Sequence, residues 1–204
     1  MVLKNFIVFE GIDGSGTSTQ IKKIVNSNPE KYISTSEPTT GATGRFLRKM
    51  LSGEFTVDEK TNAFLFAADR CEHIYGKNGI IENIKNGKTV ISDRYFFSSL
   101  AYQSVSCGEE YPFFVNSKFP LPEYLFFFQI DPEISLSRVD ARNEKKEIYE
   151  KLDAQKKIAD KYNEIISRYE DSDLGESMKV IRIDAAKSID EITGIIKGIL
   201  ENGR

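Results

Sequence analysis

The sequence predicts an α/β domain of three layers, a five-stranded parallel sheet flanked by helices. Two observations carry that expectation. Short apolar runs recur without the alternation of a half-exposed strand, which suits parallel strands covered on both faces. Longer segments of helical periodicity separate them. Ligands of such a sheet are expected at the carboxyl ends of its strands.

Taken in order, Phe6-Ile7-Val8-Phe9 is the first strand, and Tyr32-Ile33-Ser34-Thr35 is a weaker second. Residues 58–85 form the longest helical pattern, closed by a turn signal at Asn86-Gly87. Thr89-Val90-Ile91 is the next strand, and Tyr124 to Ile130 is an almost unbroken apolar and aromatic run. Asp131-Pro132-Glu133 opens a further helix, and residues 151–170, rich in Lys, Glu and Ala, form another. Val180-Ile181-Arg182-Ile183 is the fifth strand. The last helix, about 187–201, starts on the capping-box pattern Ser188-Ile189-Asp190-Glu191. No repeat, low-complexity stretch or linker divides the chain, so residues 1–204 are read as a single domain.

Length and charge narrow the function. The chain has 204 residues, enough for one substantial core, and 40% hydrophobic with 29% charged residues is ordinary for a globular protein. A net charge of −3 argues against a nucleic-acid partner but leaves room for a local basic pocket. Cys71 and Cys107 form no ligand-like cluster, and a reducing environment is expected. The first apolar run, interrupted by Glu10, is too short for a signal peptide, and nothing approaches a span of ~20 apolar residues. A cytoplasmic protein with no membrane partner is the expectation.

The strongest single signal is Gly11-Ile12-Asp13-Gly14-Ser15-Gly16-Thr17-Ser18-Thr19, directly after the first strand. Glycines let the backbone wrap a polyphosphate while amide N–H groups converge at the start of the next helix. The P-loop pattern asks for Gly, four residues, Gly, Lys, then Ser or Thr. Everything is present except the lysine, whose place Thr17 takes; Ser18 remains to meet a Mg²⁺ ion. A charge-assisted hydrogen bond to phosphate contributes roughly 1.5–3 kcal/mol. Loss of one preorganised donor lowers kcat by ~10²–10³ in other enzymes. An active protein therefore needs another cation.

Further along stand LFAADR (65–70) and SDRYFFSSLAYQ (92–103). With FEGIDGSG (9–16), EPT (37–39), the downstream GRFLR (44–48) and DPEISLSR (131–138), they make the chain resemble the thymidylate kinase family over nearly its whole length. The resemblance implies a P-loop NTPase fold, transfer of phosphate from ATP to dTMP, Mg²⁺ as cofactor, and a homodimer.

It also implies roles for particular residues. Phe66, which alone reads as core, would stack on the pyrimidine ring. Arg70, one turn on, would hydrogen-bond the base's carbonyl edge rather than pair with a neighbour such as Asp69 or Glu72. Arg94 would bind the acceptor phosphate, while Asp93 would orient Arg94 or reach the metal's water shell. Asp13 would meet the acceptor's 3′-hydroxyl or phosphate. Ser99 and Gln103 would contact the base, and Tyr102 would lie against the deoxyribose, crowding a 2′-hydroxyl. Arg48 and Leu51 line the nucleotide pocket or merely pack. Here the family's two glycines after Pro38 are replaced by Thr39-Thr40, which leaves that turn open.

In the family a mobile lid closes over ATP, and its place here is about 138–150. One subgroup keeps its catalytic arginine in the lid, and Gly14 after Asp13 agrees with that subgroup. Arg142 is therefore the first candidate for the missing cation, followed by Arg138 and Lys145. His73 reads as a packing residue. Two other readings stay open: a regulatory nucleotide binder weakened by Thr17, and a kinase for another pyrimidine nucleotide.

Overall fold

The structure, a computed structural model, describes residues 1–141 and 151–202. Among them the chain runs β1 (Val2–Gly11), α1 (Thr17–Ser27), β2 (Tyr32–Ser36), α2 (Ala42–Leu51), α3 (Glu59–Tyr75), α4 (Ile80–Lys85) and β3 (Thr89–Asp93). It continues through α5 (Phe96–Cys107), α6 (Glu110–Asn116), β4 (Leu121–Gln129), α7 (Pro132–Asp140), α8 (Leu152–Glu170), β5 (Lys179–Asp184) and α9 (Ile189–Asn202). The strands form one parallel sheet in the order β2-β3-β1-β4-β5.

Strand parity builds the three layers. Phe6 and Val8 of β1, with Leu125 and Phe127 of β4, pack against Phe96 and Leu100 of α5 and Ile158, Tyr162 and Ile165 of α8. Ile7 and Phe9, with Phe126 and Phe128, pack on the other side against Ile21 and Ile24 of α1 and Ile192 and Ile196 of α9. β1 and β4 thus bury both their faces, which is why their sequences show no alternation.

Two boundaries differ from the expectation. β1 is 10 residues long, because Val2 and Leu3 at its start pair with Leu121 and Pro122 of β4 before a register shift. The pattern 58–85 divides into α3 and α4 at Gly76 and Gly79. Gly79 lies so close to the carbonyls of His73 and Gly76 that a Cβ would sit 2.8 Å from each, so the chain turns there rather than continuing one helix. The final helix carries its capping box: Glu191 N–H donates to Ser188 Oγ at 3.3 Å, and Ser188 N–H to Glu191 Oε2 at 3.0 Å.

Candidate active site

The carboxyl ends of β1, β2 and β3 open into a cavity of 440 Å³, walled by the glycine loop, α2, α3 and α5. At its floor the loop turns on Gly14 (φ 84°) and Gly16 (φ 94°) into α1. The first helical bond, Gln20 N–H to Gly16 C=O, leaves the N–H groups of Thr17, Ser18 and Thr19 outside the helix ladder. Those donors and the helix dipole favour an anion. Gly14 is required for a tertiary reason: a Cβ there would run into the carbonyl oxygen of Ser135 on α7. Ser135 Oγ also donates to the Asp13 carbonyl, so α7 braces the loop from behind.

Ser18 Oγ donates to Asp93 Oδ2 at 2.5 Å, joining the start of α1 to the end of β3. Arg94 follows with φ 70°, a left-handed conformation that a side chain adopts only when its surroundings hold it there. Its Nη2 pairs with Asp13 Oδ1 at 2.5 Å, and its Nη1 donates to Ser98 Oγ at 3.1 Å and Tyr162 OH at 3.3 Å. The Tyr102 ring lies 5.2 Å from the guanidinium carbon. Asp13 Oδ2 accepts from Tyr102 OH at 3.2 Å and from Gln155 Nε2 at 2.9 Å.

At the other end, Arg70 is 1% exposed at the cavity wall. Its Nε and Nη2 donate to Glu37 Oε2 at 2.9 and 2.6 Å, Nη2 also to Ser99 Oγ at 3.0 Å, and Nη1 to Asn116 Oδ1. A guanidinium has five N–H donors, so these four bonds leave one on Nη1 for a ligand. His73 holds the other oxygen of Glu37 through Nδ1 at 3.0 Å and meets Thr35 Oγ1 through Nε2 at 2.6 Å. The neighbour Asp69 takes a different duty. It accepts from Thr39 N–H, Thr39 Oγ1 and Thr43 Oγ1, which fixes the turn that the sequence left open. Phe66 is half-buried, while Gln103 is 2% exposed with an Oε1 that has no hydrogen bond among the described residues.

The cavity thus gathers Ile12, Asp13, Gly14, Gly16, Thr17, Ser18, Thr19, Arg48, Leu51, Phe66, Arg70, Arg94, Ser99, Tyr102 and Gln103. Gly11 and Ser15 are buried beneath the loop and do not line it. Arg48 donates to the carbonyls of Pro38 and Thr39. Arg138 donates to the Ala185 carbonyl at 3.1 Å. Arg142, Lys145 and most of the expected lid lie outside the described residues.

Sequence reasoning missed the buried supports: Glu10, Ser98, Asn116, Gln155 and Tyr162, and the share of Glu37 and His73 in holding Arg70. For Glu10 a signal existed, since strand parity turns it toward the face of Phe6 and Val8. Gln155 and Tyr162 sit in an ordinary helical pattern that carries no such signal.

Comparison with known proteins agrees with this geometry. The family model described as thymidylate kinase matches residues 9–196. A Methanocaldococcus jannaschii protein named "Probable thymidylate kinase" is 39% identical over 204 residues, covering 99% of this chain and 98% of that one. The "Thymidylate kinase" of Leptospira borgpetersenii is 37% identical over 196 residues, covering 92% of this chain and 88% of its own.

Proposed function

Because the chain belongs to the thymidylate kinase family and phosphorylates dTMP with ATP, we propose how its residues divide that reaction. Phosphoryl transfer asks for positioning and charge stabilisation, with donor and acceptor in line. The loop from Gly11 to Thr19 takes the ATP phosphates on its backbone N–H groups. Arg94 takes the acceptor phosphate, and Asp13 orients Arg94 while facing the acceptor's sugar and phosphate. The observation that carries this assignment is Arg94 itself, held in a strained conformation against Asp13 beside the glycine loop.

The far end receives the base. Phe66 stacks on the pyrimidine, the remaining Nη1 donor of Arg70 meets a base carbonyl, and Ser99 and Gln103 supply polar contacts. Tyr102 packs against the deoxyribose where a 2′-hydroxyl would collide. Arg48 and Leu51 complete the wall. Arg142 brings the positive charge that Thr17 lacks, and closure of a lid at about 138–150 keeps water from the transferring group. Arg138, committed to the Ala185 carbonyl, is the second choice.

The oxygen pair of Ser18 and Asp93 fits a hard divalent cation. Mg²⁺ binds through few protein oxygens and shares substrate phosphates and water. Ser18 would hold it, and it would neutralise phosphate charge.

A coupled ADP-release assay with ATP, Mg²⁺ and dTMP tests the reading on wild type, Thr17→Lys and Arg142→Ala. Turnover that needs dTMP and falls ~10²–10³-fold in Arg142→Ala is expected. Full turnover in Arg142→Ala would reject that cation and keep the kinase. A silent wild type, revived by Thr17→Lys, would replace the kinase with a regulatory binder.

We also assign residues 1–204 to one domain and the protein to the cytoplasm. Cys71 and Cys107 are free thiols, and no helix among the described residues is long and apolar enough to cross a membrane. A homodimer through α3 is supported by a second apolar stripe on that helix. Ala63, Ala67, Arg70 and Ile74 face inward, whereas Phe64, Ala68, Cys71 and Tyr75 repeat at i, i+4, i+7 and i+11 on the exposed side.

A further inference from the structure

Glu10 lies on the Phe6–Val8 side of β1, wholly buried under α5 and α8. Its Oε1 accepts from Tyr95 N–H at 2.8 Å, a donor that precedes α5, and from Ser98 N–H at 3.2 Å, which it shares with the Tyr95 carbonyl at 3.1 Å. Its Oε2 accepts from Ser98 Oγ at 2.6 Å and Tyr162 OH at 2.9 Å. Those same two hydroxyls accept from Arg94 Nη1. Glu10 therefore fixes the pair of hydroxyls that aims the guanidinium, and its charge faces that of Arg94.

Burial pushes the Glu10 carboxyl up to about 7, against the opposing pull of Arg94 and of its hydrogen-bond donors. The other charged or titratable groups around it are Arg94 after β3, Asp13 in the glycine loop, Tyr95 and Tyr102 from the α5 side, and Tyr162 from α8. Burial raises all three phenols well beyond their ordinary range, so they stay neutral near pH 7. An acceptor phosphate docking on Arg94 adds negative charge to the same desolvated region. That disfavours a second carboxylate behind the guanidinium.

We propose that Glu10 is a positioning residue for Arg94, and that its carboxylate takes up a solvent proton as the acceptor phosphate docks. The proposal rests on the reading of Arg94 as the residue that receives that phosphate. The neutral acid keeps the clamp, because its new O–H is accepted by the Ser98 or Tyr162 hydroxyl while Oε1 still caps α5. The charge of Arg94 is then left to the phosphate and to Asp13.

Calorimetry of dTMP binding at pH 7, in buffers of different ionisation enthalpy, counts the protons exchanged. Wild type is expected to take up a fraction of a proton more per site than Glu10→Gln. Glutamine has the shape of glutamate, and both hydroxyls can rotate to accept from its amide. Proton exchange by the nucleotide itself cancels in the difference. Equal counts in two proteins that both bind dTMP would overturn the proposal. Tyr162→Phe tests the positioning, with KM for dTMP expected to rise roughly tenfold at constant KM for ATP. A rise in both constants alike, or in neither, would also overturn it. Wild type that fails to bind dTMP would instead remove the functional reading, and this inference with it.

Discussion

Arg70 and Glu37 face each other with side chains 1% and 3% exposed, the second carboxylate oxygen held by His73. In such surroundings a lost partner matters more than the pair's net attraction, because the remaining charge stays buried without compensation. Glu37→Gln keeps the shape and removes the charge. It is expected to destabilise the fold by about 3–5 kcal/mol in denaturant unfolding. Where it still folds, KM for dTMP should rise, since Arg70 is then free to turn away from the base. The sequence showed Glu37 and Arg70 as members of two separate motifs. That they are one buried pair, 33 positions apart, depends on β2 and α3 meeting at the same end of the sheet.

At the scale of elements, α7 and the glycine loop are a single unit. Gly14 was legible as part of a phosphate-binding pattern, but its closest demand comes from the Ser135 carbonyl. Gly14→Ala introduces both a collision and a side chain at φ 84°. Overpacking of this kind costs about 2 kcal/mol, and a fall in melting temperature of roughly 5 °C is expected. KM for ATP should rise with it, because the loop cannot keep its curvature and its contact with α7. The helix boundaries divide along the same line. The capping box at Ser188 is a local bond pattern and was readable from four residues. The break between α3 and α4 was not, since apolar periodicity runs through it and close backbone packing at Gly79 decides it.

For the whole molecule, α3 connects two surfaces. Its inner stripe carries Arg70 into the cavity, and its outer stripe exposes Phe64, Ala68, Cys71 and Tyr75. Phe114 on the adjoining α6 is 71% exposed and extends the apolar surface. If two copies meet there, Phe64→Glu places a charge in the interface. Light scattering on a sizing column should then fall from twice the chain mass to a single 23.1 kDa chain. An unchanged mass would put the interface elsewhere. The sequence by itself determined the five strands and their order in the chain, the parallel sheet, the glycine loop without its lysine and the family, because each is written in local periodicity or in contiguous motifs. Only the tertiary structure decided that Glu10 meets Tyr162 across 152 positions, that Arg70 spends four of its five donors on the protein, and that α7 fixes the loop at Gly14. The physical reason is that a buried polar group is defined by its partner, and the partner is chosen by how strands and helices pack rather than by neighbours in the chain.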